Sequence, residues 1–285
     1  MTASLTRVTS PIGMSRALYF AVHAGAIAAP FVELDARVLA IFAVSYLVRI
    51  FGVGAGYHRY FAHRAFRAGR PVQFLLGLLG VTALQRGPLW WAETHRDHHR
   101  HTDTPDDIHS PRYQGFGYAH WGWFFAERHR RTHLAGVRDL ARFPELVWLD
   151  STPVCALVAA ALGAALWLGF GLGGFLWGFC AATVLLWHVV HAIQSVSHSI
   201  GGYRNFATDD ASRNHWLIAA LSLGEWHNNH HHRAASARQG YRFWEIDVVW
   251  LVLRGMARVG LVSDVRDRLR DRAADVTGLD AQETG

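Results

Sequence analysis

Residues 151–203 read STPVCALVAAALGAALWLGFGLGGFLWGFCAATVLLWHVVHAIQSVSHSIGGY, 53 positions without one Asp, Glu, Lys or Arg. About 20 apolar residues cross a bilayer as a helix, so this run crosses more than once. Gly169, Gly171, Gly173 and Gly174 break it near the middle, which predicts two antiparallel spans over 153–170 and 175–196 joined by a short turn. Upstream, residues 17–32 and 38–48 are also free of charge, separated by Glu33, Asp35 and Arg37, and predict a first hairpin with spans over 16–32 and 37–56. The expected fold is an all-α integral membrane protein: four transmembrane helices in two hairpins, carrying a cytoplasmic histidine-rich helical cap. The chain reads as one domain over 1–285, with cap segments 57–152 and 197–270 and a C-terminal tail at 271–285.

The charge distribution supplies the orientation. All 28 basic residues are Arg, with 13 in 57–152, 11 in 201–285 and two before residue 17. Apart from Arg37, the turns on the far side carry no cation, as expected for a multi-pass protein of the inner membrane with both termini and the cap in the cytoplasm. Arg49 is the exception near a span, either snorkelling to the interface or paired inside the protein. The net charge of +6 and pI of 9.8 suit an anionic lipid surface, and no motif calls for nucleic acid. Cys155 and Cys180 fall inside expected spans and form neither a disulfide framework nor a thiolate metal site. The N-terminus lacks a signal-peptide cleavage pattern, so the first span is expected to act as its own insertion signal. Residues 72–85 form an apolar stretch too short to span, expected along the interface, and 246–262 read as an amphipathic surface helix.

Three clusters among the 19 histidines flank these spans: HRYFAH at 58–63, HRDHH at 95–99 and HNNHHH at 227–232. His95, His98 and His99 are spaced i, i+3 and i+4, so a helix presents all three on one face; His227, His230 and His231 repeat the spacing. Neutral imidazole suits Fe, Zn or Cu, and this many ligands exceed the needs of one ion, so two ions are expected. His58 and His63 lie about 140° apart on an ideal α-helix and need not share a metal unless the helix ends between them. His198 arrives at the level of the clusters if the double span returns to the cytoplasm. Asp97, Asp103, Asp106 and Asp107 are placed either to orient ligand rings or to form a hydrated loop with helix-capping roles. His232, His188 and His191 are expected to face away or to pack, and His109 and His120 to lie at the surface or behind the ligands. None of the seven Glu is followed by His three residues later, which excludes the soluble di-iron bundle pattern.

HRYFAHRAF, WWAETHRDHHRHTDTPDDIHSP, HWGWF, QSVSH, GEWHNNHHH and SARQGYRFWEID, in this order, resemble the membrane-bound fatty acyl desaturase family, in the branch of the acyl-CoA delta-9 desaturases. The resemblance implies two irons (Fe2+/Fe3+) held by His58, His63, His95, His98, His99, His198, His227, His230 and His231, with Gln194 and Asp97 behind them. It implies no catalytic residue beyond the metal ligands. The reaction it implies is O2-dependent insertion of a cis double bond, at delta-9, into a saturated fatty acyl chain, with two electrons from a separate electron-transfer protein and reductase. Trp90, Trp91, Trp187 and Trp226 are expected to wall the acyl tunnel. Two positions depart from the animal acyl-CoA enzymes: Gln194 stands where they carry Asn, and Glu93-Thr94 replaces an Arg-Asp pair that helps bind coenzyme A. A carboxylate is unfavourable beside a phosphorylated head group, so acyl-CoA and acyl-lipid both remain as carriers. Two other functions fit the residues: a di-iron hydroxylase of an alkane or lipid, and a non-enzymatic membrane metal-binding or transport protein.

Overall fold

The computed structural model describes residues 6–8 and 12–269; the tail expected at 271–285 lies outside the described residues. Helices dominate them. The first apolar pair is α1 (Ile12–Ala28) and α2 (Ala36–Phe51), and Asp35 starts α2 by accepting the Val38 N–H at 2.7 Å. The long uncharged run bends at Gly171, whose φ of +63° favours glycine, near the end of the Thr152–Gly173 helix; Gly174–Ala181 and Ala182–Ser195 follow. The two arms lie against each other, since a Cβ on Gly163 would meet the Phe175 ring at 3.4 Å. In one continuous helix those positions would be about 18 Å apart.

Two helical stretches, Ala36–Ala62 and Thr152–His198, are long and apolar enough to cross a membrane. Phe20, Ile27, Leu39, Val44, Leu157 and Leu168 are exposed along these helices and α1, an apolar exterior suited to lipid. Arg49 is buried inside the protein: its Nε donates to the Thr82 carbonyl at 2.8 Å and Nη2 to Thr183 Oγ1 at 2.7 Å.

Beyond Phe51 the helix widens. Gly52–Ala62 is wound as a π-helix, and the His63 N–H reaches the His58 carbonyl five residues back at 3.1 Å. The wider turn packs on α3 (Arg70–Val81), the short apolar helix expected at 72–85. Glycine permits the approach, because a Cβ on Gly56 would lie 2.7 Å from the Leu76 carbonyl oxygen. Gly56→Ala is therefore expected to push the π segment off α3 and destabilise the protein by about 1–3 kcal/mol, as overpacking does. Thermal unfolding in detergent checks this, and an unchanged midpoint would show that the contact gives way freely.

The cap is assembled from long-range contacts. α4 (Pro88–His101) begins with Pro in its first turn, yet no neighbouring side chain caps it. Asp150, far along the chain, does so through Oδ1, accepting the Leu89 and Trp90 N–H groups at 3.0 and 2.9 Å. Arg59, buried on the π segment, binds Asp247 Oδ1 at 2.9 Å and also the Gly224 carbonyl and Gln239 Oε1. Asp247 in turn caps the Val248–Arg258 helix, which buries Val249 and Leu253 and exposes Leu251 and Val252. That is the two-faced helix expected within 246–262. Two short antiparallel ladders, Thr6–Val8 with Arg131–His133 and Arg67–Ala68 with Val262–Ser263, fasten remote segments together.

Candidate metal centre

Each histidine cluster reaches the site by a different local device. On the π segment, His58 and His63 come side by side with ring centroids 4.8 Å apart, although α-helical winding would separate them. α4 turns His95, His98 and His99 to one face. The third cluster forms the Leu-poor helix His227–His232, which Asn228 and Asn229 hold in place. Asn228 Oδ1 accepts the N–H groups of Asn205 and Phe206, while Asn229 Nδ2 donates to the Gln239 carbonyl and Glu245 Oε2. His198 ends the short Val196–His198 turn after the last apolar helix.

The nine imidazoles sort into two touching groups. His58, His63, His95, His99 and His230 place one ring nitrogen each within 4.8 Å of one another, and so do His98, His198 and His231. His227 joins the second group through its Nε2, 2.8 Å from His198 Nε2. In the first group His63 Nε2 lies 2.8 Å from His95 Nε2, and His230 Nε2 lies 3.0 Å from His58 Nε2 and 2.9 Å from His99 Nε2. Such convergence of nitrogens with lone pairs is what a bound cation requires.

Carboxylates stand behind several rings. His98 Nδ1 meets Asp107 at 3.0 Å, His198 Nδ1 meets Asp103 at 2.8 Å and His231 Nδ1 meets Asp210 at 2.8 Å. Glu225 spans both groups, 3.1 Å from His58 Nδ1 and 3.4 Å from His227 Nδ1. These partners fix which nitrogen points inward. His231 Nε2 and His230 Nδ1 are buried without a hydrogen-bond partner. Burial and neighbouring imidazoles hold His95, His99, His227 and His230 well below the usual imidazole range, and His231 at about 4. Those five rings are neutral at pH 7, and imidazole nitrogens of this kind fit transition metal ions. Burial would raise the carboxyl of Asp103, but bonds from His198, Ala211 and Ser110 bring it down to about 2.

Other expected positions fall differently. Asp97 does not reach the nine: it binds Arg100 at 2.7 Å and His101, because 97, 100 and 101 form the α4 face opposite 95, 98 and 99. Asp103 and Asp107 supply the orientation in its place. A narrow apolar cavity adjoins the centre, lined by Ile50, Val53, Val190 and Ile193 together with Trp91, Gln194 and several of the histidines. Of the four tryptophans expected as tunnel walls, Trp91 lines this cavity. Trp90 projects from the adjacent α4 position to stack on Trp123, Trp187 lies a turn beyond Val190 and stacks on Tyr19, and Trp226 binds the Ile246 carbonyl. Gln194 Oε1 accepts the Trp123 indole N–H at 3.0 Å. His232 turns away and stacks on Phe206 at 4.0 Å. His109, expected at the surface or behind the ligands, is buried beside His98 with ring centroids 4.3 Å apart and lines the cavity. Glu225 and Asp210 carried no spacing signal, though Glu225 stands two residues before His227.

Glu93 lies on the outer side of α4. Burial, with Asp97 beside it, pushes its carboxyl up to about 7. A carboxyl that prefers its proton when folded weakens the fold as pH rises from its ordinary 4.5 to about 7, with a constant penalty above that. Glu93→Gln is therefore expected to raise the thermal midpoint at pH 8, by about 2–4 °C per kcal/mol relieved, and by less as pH falls toward 5. An equal shift at both pH values would assign the effect to packing.

Imidazoles converging in carboxylate-backed groups beside an apolar cavity, on helices with a lipid-suited exterior, define a helical membrane protein with a histidine-built site able to hold metal. Comparison makes the class specific. The chain belongs to the fatty acid desaturase family, whose profile (Fatty acid desaturase) matches residues 36–261, and it is an oxidoreductase that desaturates fatty acyl chains. It is 36% identical over 251 residues to Delta-9 acyl-lipid desaturase 2 of Arabidopsis thaliana, covering 87% of this chain and 80% of that one. The sn-2 palmitoyl-lipid 9-desaturase of Nostoc sp. (strain 36) is 36% identical over 87% of this chain and 88% of its own. The Acyl-CoA C20 Delta5-desaturase of Anemone leveillei is 36% identical over 79% of this chain and 72% of its own.

Proposed function

We propose that this protein is an O2-dependent di-iron desaturase that places a cis double bond at delta-9 of a lipid-linked acyl chain. The observation that carries the reading is the grouping of nine imidazoles into two contiguous sets beside an apolar cavity. The first iron would be held among His58, His63, His95, His99 and His230, the second among His98, His198, His227 and His231. Bound there, the irons supply the oxidising power, from O2 and two external electrons, to remove two hydrogens from adjacent methylenes. The protein's own share is positional. Asp103, Asp107, Asp210 and Glu225 aim the rings, and Ile50, Val53, Val190 and Ile193 give methylenes an apolar wall that excludes water.

The lipid carrier is favoured over coenzyme A by Glu93 at the position of the departure noted above and by the two acyl-lipid relatives. The membrane reading is two hairpins with four spans, α1 and α2 forming the first, and the cap on the cytoplasmic side, where a separate reductase and carrier protein deliver electrons. Expression in a bacterial host without an oxygen-dependent desaturase, with co-expressed electron donors, tests it. A delta-9 monounsaturated chain that requires oxygen and appears in the membrane lipids before the acyl-CoA pool is expected. An alcohol product would favour the hydroxylase, and label first in acyl-CoA would overturn the lipid carrier.

A further inference from the structure

A separate group of imidazoles lies outside the nine. His120, His188 and His191 place one ring nitrogen each within 4.8 Å of one another. His120 ends the Phe116–His120 helix of the cap, while His188 and His191 are three residues apart on the Ala182–Ser195 helix. His120 Nε2 is 2.9 Å from His188 Nδ1. His191 is 3% exposed, and its Nδ1 has no hydrogen-bond partner.

With the Ser195 hydroxyl hydrogen on the His191 carbonyl, the surrounding bonds favour one distribution of ring protons. His23 Nδ1 lies 2.8 Å from the Tyr19 carbonyl, which only accepts, so a neutral His23 presents a lone pair at Nε2. His188 Nε2 is 3.2 Å from that lone pair and donates to it, which leaves a lone pair on His188 Nδ1. On the other side, Ser195 Oγ donates to the His191 carbonyl at 2.9 Å and accepts from His120 Nδ1 at 2.8 Å, which leaves a lone pair on His120 Nε2. The 2.9 Å contact between His120 and His188 then brings two lone pairs together. A cation between them satisfies both, and a ring nitrogen of His191 lies within 4.8 Å of each. Ser195 and His23 would hold the outer ring nitrogens, as carboxylates do at the larger centre.

We propose that His120, His188 and His191 form a third metal site, selective for a borderline cation of the zinc class, that pins the cap to the last apolar helix. Three neutral nitrogens without a carboxylate disfavour Mg2+ and Ca2+. Burial keeps His120 below the ordinary imidazole range, so its lone pair is available at neutral pH.

The test titrates Zn2+ onto the iron-loaded full-length chain and counts bound zinc by mass spectrometry. The unmodified protein is expected to hold one zinc more than the His120→Ala, His188→Ala double variant, with a zinc-dependent rise in melting temperature that the variant lacks. Equal zinc in both would overturn the site. Should the variant fail to fold, anomalous diffraction at the zinc edge from the unmodified chain decides: a peak among the three rings is expected, and its absence overturns the proposal. A protonated His188 bridging His120 and His23 would give no peak. Neither measurement reads desaturation, so failure of the di-iron reading leaves this outcome separate.

Discussion

His230→Ala is expected to drive desaturation below detection. Its Nε2 lies 3.0 Å from His58 Nε2 on the π segment and 2.9 Å from His99 Nε2 on α4, so one ring joins three elements of the first group. Deleting it removes a ligand at the point where the others converge. On the di-iron reading proposed above, the remaining rings hold the cation less tightly, because metal affinity falls with the ligand count. The expected measurements are loss of monounsaturated product and a fall in bound iron, with the protein still inserted and helical by circular dichroism. Activity above a tenth of the unmodified enzyme would falsify the assignment of His230 to the centre. His232→Ala is the matched control, because that ring stacks on Phe206 away from the groups and its loss is expected to leave bound iron unchanged.

The sequence made the scaffold legible where one property repeats along the chain. Absence of charge over 151–203 marks both long apolar arms, and the glycines mark the bend, because each acts locally. The i, i+3, i+4 spacing likewise gave the face of α4. Long-range chemistry was harder to read. Nothing near Pro88 announces that Asp150 caps α4, and nothing near His231 announces Asp210, because both contacts are made by folding rather than by spacing. His58 and His63 show a third kind of difficulty. Their separation of five misleads on α-helical geometry and becomes intelligible only when the backbone widens to a π turn against α3. The tryptophans show a simpler ambiguity: size and rigidity suit a tunnel wall but equally suit packing, and direction on the helix separates Trp91, which lines the cavity, from Trp90.

Glu225→Gln is expected to lower desaturation about 10–100-fold, the usual cost of losing a residue that orients metal ligands. Glu225 is the one carboxylate among the described residues that contacts histidines of both groups, with Oε2 at His58 and Oε1 at His227. A carboxylate accepts from both Nδ1–H groups at once. An amide of the same shape accepts from one and turns an N–H toward the other, so one ring loses its anchor and two donors face each other. Because each ring belongs to a different group, the defect is expected to reach both metals, unlike Asp107→Asn, which touches His98 alone among the nine. The reading is made in two parts: turnover against lipid-linked substrate, and iron per chain. A fall in turnover with unchanged KM, together with partial loss of iron, is the signature of misaligned ligands. A rise in KM with full iron would instead make Glu225 part of the acyl wall, since its carboxylate also borders the cavity. Glu225→Leu adds the comparison that separates orientation from fold: it is expected to lose more activity than the Gln variant, because neither ring then has an acceptor.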